Sequence, residues 1–148
     1  MNMATRIMKE YKECQKNVNK SGEMKLFPRS EKDLFKWTAF IRGPSGTPYN
    51  DGVFELFIDI PKQYPMVAPK TIMKTKIFHP NIHHETGEIC LDILKTEWSP
   101  VWTIEALCRA VIALLAAPDS SSPLNCDAGN VLRANDHKGY FYMANMYT

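Results

Sequence analysis

Between Met24 and Pro61 the chain alternates apolar and polar residues in runs too short for helices, and this narrows the possible folds more than any other feature. Within Phe35 to Arg42, Phe35, Trp37, Ala39 and Ile41 fall on one side of an extended chain, with Lys36, Thr38 and Arg42 on the other. Val53 to Ile60 repeats the pattern with Phe54, Leu56, Ile58 and Ile60 on one side, and stops at Pro61. Met24 to Phe27 reads as a shorter strand closed by Pro28, and Lys70 to Lys74 as a fourth strand. The connections (Arg29-Ser30, Pro44-Ser45-Gly46, Asn50-Asp51-Gly52) are short and made of turn residues, which suits an antiparallel meander. Pro61 to Pro69 holds three prolines and is predicted as a shaped loop, with Tyr64-Pro65 a candidate cis bond.

Helical periodicity flanks this region. Ile7, Tyr11, Cys14 and Val18 line one face of a predicted helix over residues 3 to 18, ended by Ser21-Gly22. Thr103 to Ala117 carries the clearest helical stripe, Ile104, Leu107, Cys108, Val111, Ile112 and Leu115, and Pro118 ends it. Two shorter helices are expected near Leu124 to Arg133 and Asp136 to Tyr147. Residues 75 to 102 lack either period, and a loop of that length inside a compact domain usually serves a function. No repeat or linker divides the 148 residues, so one α+β domain spanning 1–148 is expected: an N-terminal helix, a four-stranded antiparallel meander, a long loop, a central helix and two C-terminal helices.

Composition removes several functions. Net charge is +2 and no basic run stands out, which argues against a nucleic-acid partner. Cys14, Cys90, Cys108 and Cys126 are widely spaced with no CxxC, so neither a zinc ribbon nor a disulfide scaffold is expected. Pro80 prevents a helical pairing of His79 with His83, and one cysteine alone lies near them, so no metal or other cofactor is expected. The N-terminal residues hold no long apolar segment, so no signal peptide or direct membrane span is expected, and the chain is placed in the cytoplasm.

The chemistry concentrates in His79-Pro80-Asn81-Ile82-His83-His84-Glu85-Thr86-Gly87-Glu88-Ile89-Cys90-Leu91-Asp92-Ile93-Leu94. A cysteine in a long loop follows an Asn fixed by a proline. Acyl transfer through a thioester needs a thiol that can form and leave as a thiolate. It also needs a donor for the developing oxyanion and room for an acceptor. An Asn amide can act as that donor without being a strong base, and a strong base would waste the thioester on water. The bland readings are a buried structural thiol at Cys90 and an ordinary turn residue at Asn81. Cys14 and Cys108 are expected in the core; Cys126 is given no role.

The chain resembles the ubiquitin-conjugating enzyme family across essentially its whole length. The resemblance rests on Arg6-Ile7-x-Lys9-Glu10, Gly43-Pro44 with Thr47-Pro48-Tyr49 and Gly52-x-Phe54, Tyr64-Pro65 with Pro69-Lys70, His79-Pro80-Asn81, Gly87-x-Ile89-Cys90-Leu91-Asp92-Ile93-Leu94 and Trp98-Ser99-Pro100. Each is weak alone; together and in order they are specific. The resemblance implies Cys90 as the catalytic cysteine and Asn81 as an oxyanion-stabilising or loop-supporting residue. It implies Asp92 as an acidic neighbour of the cysteine, with His79 and Pro80 supporting the active-site loop. Arg6 and Lys9 would meet the ubiquitin-activating enzyme, and Tyr64, Pro65, Met66, Ser99 and Pro100 a RING ligase. Arg6 and Lys9 also read as an ordinary solvated helix face.

Two departures from the family pattern bear on function. Met66 stands where ligase-binding members often carry Phe. Ser122 stands where many lysine-directed members carry an Asp that orients or deprotonates the incoming amine, whose ordinary pKa is about 10.4. A thiol, at about 8.5, needs less help, so tolerance of a cysteine acceptor is expected. Asp119 and Asp92, nearby in the expected fold, weigh against this. Trp98-Ser99-Pro100-Val101-Trp102, the stretch from Ser122 to Arg133 and the extra residue before Cys90 resemble the peroxisomal branch of the family. That branch implies a membrane-anchored peroxin as partner, recruitment to the cytosolic face of the peroxisomal membrane, and an import receptor modified on cysteine. Two other functional classes stay open: a non-catalytic binding module of the same fold, and a cysteine hydrolase using Cys90 with a histidine such as His79.

Overall fold

The computed structural model describes residues 2–121 and 123–148. Helix α1 (Met3–Ser21) is followed by β1 (Met24–Ser30), β2 (Asp33–Arg42), β3 (Val53–Asp59) and β4 (Lys70–Met73), then α2 (Ile104–Ala116), α3 (Cys126–Arg133) and α4 (His137–Met146). The strands form one antiparallel sheet in the order β1-β2-β3-β4, the expected meander. Trp37, Ala39 and Ile41 on β2 and Phe54, Leu56 and Ile58 on β3 are all buried on the face that meets the helices. From α2, Ile104, Leu107, Cys108, Val111 and Leu115 join them, while Ile112 packs at the edge of the core. From α1, Ile7 and Cys14 are buried and Tyr11 meets Trp37 edge-on at 5.2 Å. The side chain of Val18 lies outside the described residues.

The sheet differs from expectation at its first strand. Pro28 does not close β1; the strand runs on to Ser30 and turns at Glu31-Lys32, with a register shift between Pro28 and Ser30. The reason is position: β1 is a sheet edge, where a residue without an N–H costs no ladder bond. β3 stops one residue early, at Asp59. The Tyr64–Pro65 bond is cis. Residues 75–103 are irregular apart from a single 3-10 turn at Asp92–Leu94.

Helix α3 begins at Cys126, two residues after the expected Leu124, and α2 and α4 each begin one residue after the expected Thr103 and Asp136. Thr103 caps α2 by accepting from the Ala106 N–H at 3.1 Å, Asn125 caps α3, and Asp136 caps α4. Helix α4 is fastened to two loops. Tyr49 donates to the Phe78 carbonyl at 2.6 Å, and the Tyr49 and Tyr140 hydroxyls are 2.5 Å apart. Burial pushes the pKa of both phenols up, so they remain protonated.

Candidate active site

Gly87 seats the long loop on the sheet. Its φ is +75°, and a Cβ there would run into the Met73 carbonyl, to which the loop comes this close because the Met73 N–H donates to Gly87 O at 2.8 Å. Glu88 then bridges to Ile72, and Ile89 to Ile82. Cys90 follows, its N–H donating to Asn81 O at 2.8 Å. Cys90 is a free, partly exposed thiol, whereas Cys14 and Cys108 are buried, as expected of core residues. Cys126 is exposed at the start of α3. The buried structural thiol reading therefore fits Cys14 and Cys108 and does not fit Cys90.

His79 grips the last turn of α2, and Pro80 and Asn81 grip the segment between α2 and α3. His79, completely buried, donates from Nε2 to Leu114 O at 2.9 Å, and its Nδ1 accepts from the Asn81 N–H at 3.0 Å. Those bonds require the neutral imidazole, and burial lowers its pKa to about 4. The Pro80 carbonyl accepts from the N–H groups of Leu124 and Asn125. The Asn81 side chain reads the main chain of Asp119 from both ends: Nδ2 donates to its carbonyl at 2.7 Å, and Oδ1 accepts from its N–H at 2.8 Å. Among the described residues, one amide hydrogen of Asn81 has no partner. Both nitrogens of His79 are committed, and among the described residues no imidazole is hydrogen-bonded to the Cys90 thiol, so the base that a cysteine hydrolase needs is missing.

The two acidic neighbours behave differently. Asp92 is exposed at the start of the 3-10 turn, where its main-chain carbonyl accepts from Lys95 and Glu97. Asp119 accepts from the N–H and hydroxyl of Ser121, which hold its carboxyl below the usual range. Ser122 lies outside the described residues.

The residues expected to meet other proteins cluster at the opposite end of the long loop. Arg6 is not a free cation there. Its Nη2 donates to the carbonyls of Pro100 at 2.8 Å and Trp102 at 2.9 Å, and the guanidinium sits 5.3 Å above the Tyr64 ring. Lys9 is exposed. Trp98 ties the two loops together by donating from Nε1 to Pro65 O at 2.8 Å. Ser99 is half-buried, Pro65 likewise, and Pro100 exposed. Met66 is 73% and Val101 89% exposed, so each of the two loops presents an apolar side chain to solvent.

The residue that sequence reasoning passed over is Glu10. Its Oε1 accepts from the Ile104 N–H at 2.9 Å, at the N-terminus of α2, and its Oε2 accepts from the Tyr64 hydroxyl. It places a carboxylate at the positive end of the central helix while fixing the Tyr64 loop. Its one sequence signal is its place in the Arg6-Ile7-x-Lys9-Glu10 run.

A family model described as "Ubiquitin-conjugating enzyme" matches residues 6–148. The chain is 53% identical over 146 residues to "Ubiquitin-conjugating enzyme E2 pex4" of Dictyostelium discoideum, covering 99% of this chain and 97% of that protein. It is 53% identical over 143 residues to "Protein PEROXIN-4" of Arabidopsis thaliana, covering 97% of this chain and 90% of that protein. The crystal structure of H. polymorpha ubiquitin-conjugating enzyme Pex4p, in complex with the soluble domain of Pex22p, superposes with a TM-score of 0.93 at 34% identity, covering 99% of this chain and 96% of that one. Matched by the family model over nearly its full length, with a solved relative of the same fold, the chain belongs to the ubiquitin-conjugating enzymes, which are transferases.

Proposed function

We propose that this enzyme carries ubiquitin as a thioester on Cys90 and passes it to a peroxisomal import receptor, accepting a cysteine at least as readily as a lysine. The observation that carries the reading is the partly exposed Cys90 thiol, bonded through its own N–H to Asn81, which is itself clamped on Asp119. In charging, the Cys90 thiolate attacks the thioester carbonyl of ubiquitin on the activating enzyme. The bond to Cys90 forms, and the activating enzyme's sulfur leaves as a thiolate. In discharge, an acceptor thiolate, or an amine that releases its proton to solvent, attacks the same carbonyl, and Cys90 leaves as a thiolate. The remaining amide hydrogen of Asn81 serves the oxyanion of each tetrahedral intermediate. Among the described residues no imidazole is hydrogen-bonded to the thiol, which spares the ester from water activated by a strong base. Asp119, ionised and tied to Ser121, is a weak base, which suits an acceptor thiol better than an amine.

The peroxisomal part of the reading rests on the Pex4 and PEROXIN-4 relatives. By the same extension, a membrane-anchored peroxin holds this enzyme at the cytosolic face of the peroxisome. Helix α4, with Tyr142 71% and Met146 77% exposed, offers an apolar face to such a partner. Lys9 faces the activating enzyme, and Met66 and Val101 a RING ligase.

Charging with activating enzyme, ubiquitin and ATP, read on non-reducing gels, tests the centre of this proposal. The wild type forms an adduct cleaved by reductant; Cys90→Ser forms either an adduct that resists reductant or none. A reducible adduct on the serine variant removes Cys90 from the mechanism. Discharge onto free cysteine and free lysine at equal concentration then tests the acceptor, where fast lysine discharge without any gain for cysteine overturns the thiol preference.

A further inference from the structure

The face of the sheet turned away from the helices has a composition that ubiquitin transfer at Cys90 does not use. Strand pairing lays its residues out in rows. One row runs Lys25, Phe40, Glu55 and Lys74; the next runs Phe27, Thr38, Phe57 and Ile72; a third holds Lys36, Asp59 and Lys70, with Arg29 beside them; Arg42 and Val53 border the first. A central aromatic row thus lies between two rows of cations. The rings are close together, with Phe27 and Phe40 at 5.9 Å, and Thr38 beneath them is 4% exposed. Arg29 lies 4.3 Å above the Phe57 ring and Lys74 5.2 Å from it, so two of the cations cover Phe57.

The charge is concentrated here. Six cations (Lys25, Arg29, Lys36, Arg42, Lys70, Lys74) face two carboxylates (Glu55, Asp59), a net of +4, while the whole chain carries +2, so everything else carries −2. Asp59 is already bonded to Arg29. The bordering carboxylates Glu23 and Glu88 are paired with Arg109 and Lys95. Strand geometry gives the platform, from Lys36 to Arg42 and across four strands, sides of about 20 by 14 Å, wider than the screening length of about 8 Å, so each cation meets a facing surface on its own and their contributions add.

We infer that this sheet face is a docking surface for an anionic phospholipid bilayer. A broad, shallow array of lysines above an apolar layer matches the negative plane of a membrane leaflet. Single-stranded nucleic acid fits less well, because its bases need open aromatic faces, and here Phe57 lies under Arg29 and Lys74 while Phe27 and Phe40 are half-buried. The contact is weak alone and adds to a protein tether. The opposite signs of the sheet face and the remainder would turn this face toward the bilayer. Glu88 bridges to β4, so Cys90 leaves the sheet at that edge. On the proposed function, which this last step alone assumes, the thiol would sit beside the membrane that holds the receptor.

Vesicle co-sedimentation of the full chain without ubiquitin tests the inference independently of the transfer chemistry. Vesicles of phosphatidylcholine alone are compared with vesicles of phosphatidylcholine mixed with phosphatidylserine. Binding is expected only to the mixed vesicles, weakening as salt rises. The triple variant Lys25→Gln, Lys36→Gln, Lys70→Gln is expected to bind about a hundredfold more weakly, at about fivefold per lysine. A variant with the same loss of charge elsewhere (Lys12→Gln, Lys62→Gln, Lys138→Gln) is expected to bind mixed vesicles within a few-fold of the wild type, and thermal melting of both confirms folding. Equal losses in the two variants would reduce the effect to net charge and overturn the docking face. So would equal binding to both kinds of vesicle, or tighter binding to a single-stranded oligonucleotide than to the mixed vesicles.

Discussion

His79 and Asn81 fix their loop without a charge, whereas Arg6 and Glu10 fix theirs with two. At the first corner the partners are main-chain groups of Leu114 and Asp119, and both side chains are buried. At the second they are main-chain groups of Pro100, Trp102 and Ile104 together with the Tyr64 hydroxyl, and the Arg6 and Glu10 side chains are 24% and 9% exposed. The neutral corner lies beside the thiol, where a free base would be harmful, and it cannot take up a proton without losing a bond. The charged corner lies away from the thiol, where its two ions are largely buried and are held by hydrogen bonds to main-chain groups and to Tyr64. The two corners should therefore respond differently to truncation, acid and salt.

The largest difference is expected on removing the Asn81 amide. Asn81→Ala loses both bonds to Asp119 and the proposed oxyanion donor. Single-turnover discharge from Cys90 should slow by about 100- to 1,000-fold. Stability measured by urea unfolding should fall by about 2 kcal/mol. A fall in stability with an unchanged discharge rate would leave Asn81 a loop support alone.

Acid should separate the corners next. An unfolded imidazole titrates near 6.5, while buried His79 titrates at about 4. Between those values the unfolded chain holds the extra proton. Stability is thus fully present above pH 6.5 and is lost as pH falls toward 4, by about 3 kcal/mol. Urea midpoints measured across that range should show the loss in the wild type and a shallower one in His79→Gln. A slope that the substitution leaves unchanged would show that other groups set the acid limit.

What the sequence could and could not reveal follows the same division between near and distant partners. Helix α2 was legible because its stripe and its Pro118 stop lie within or beside it. Strands β2 and β3 were legible because period-2 alternation is local. Pro28 misled because tolerance of proline depends on β1 being a sheet edge, which no local pattern states. Cys90 and Asn81 stood out through a family resemblance, yet the grip of Asn81 on Asp119 spans 38 residues. Glu10 is further from view: its partners Tyr64 and Ile104 are 54 and 94 residues away, and at its own position it looks like any solvated helix glutamate. The rows of cations across the sheet were equally hidden, because net charge averages them against the rest of the chain.

The smallest expected effect divides Arg6 from Lys9, three residues apart on α1. Arg6 spends its guanidinium inside the molecule, so Arg6→Ala should cost about 1–2 kcal/mol through two lost bonds to carbonyls, with little dependence on salt. Lys9 is exposed, so Lys9→Ala should leave stability within about 0.5 kcal/mol. Its effect belongs in charging, as a KM for the activating enzyme raised several-fold at low salt, with the gap closing as salt screens the wild-type contact. Paired urea unfolding and charging kinetics on the two variants read both quantities. If Arg6→Ala raises that KM while leaving stability untouched, its carbonyl bonds are incidental, and the contrast between a charged corner that braces the fold and a charge that recruits a partner no longer holds.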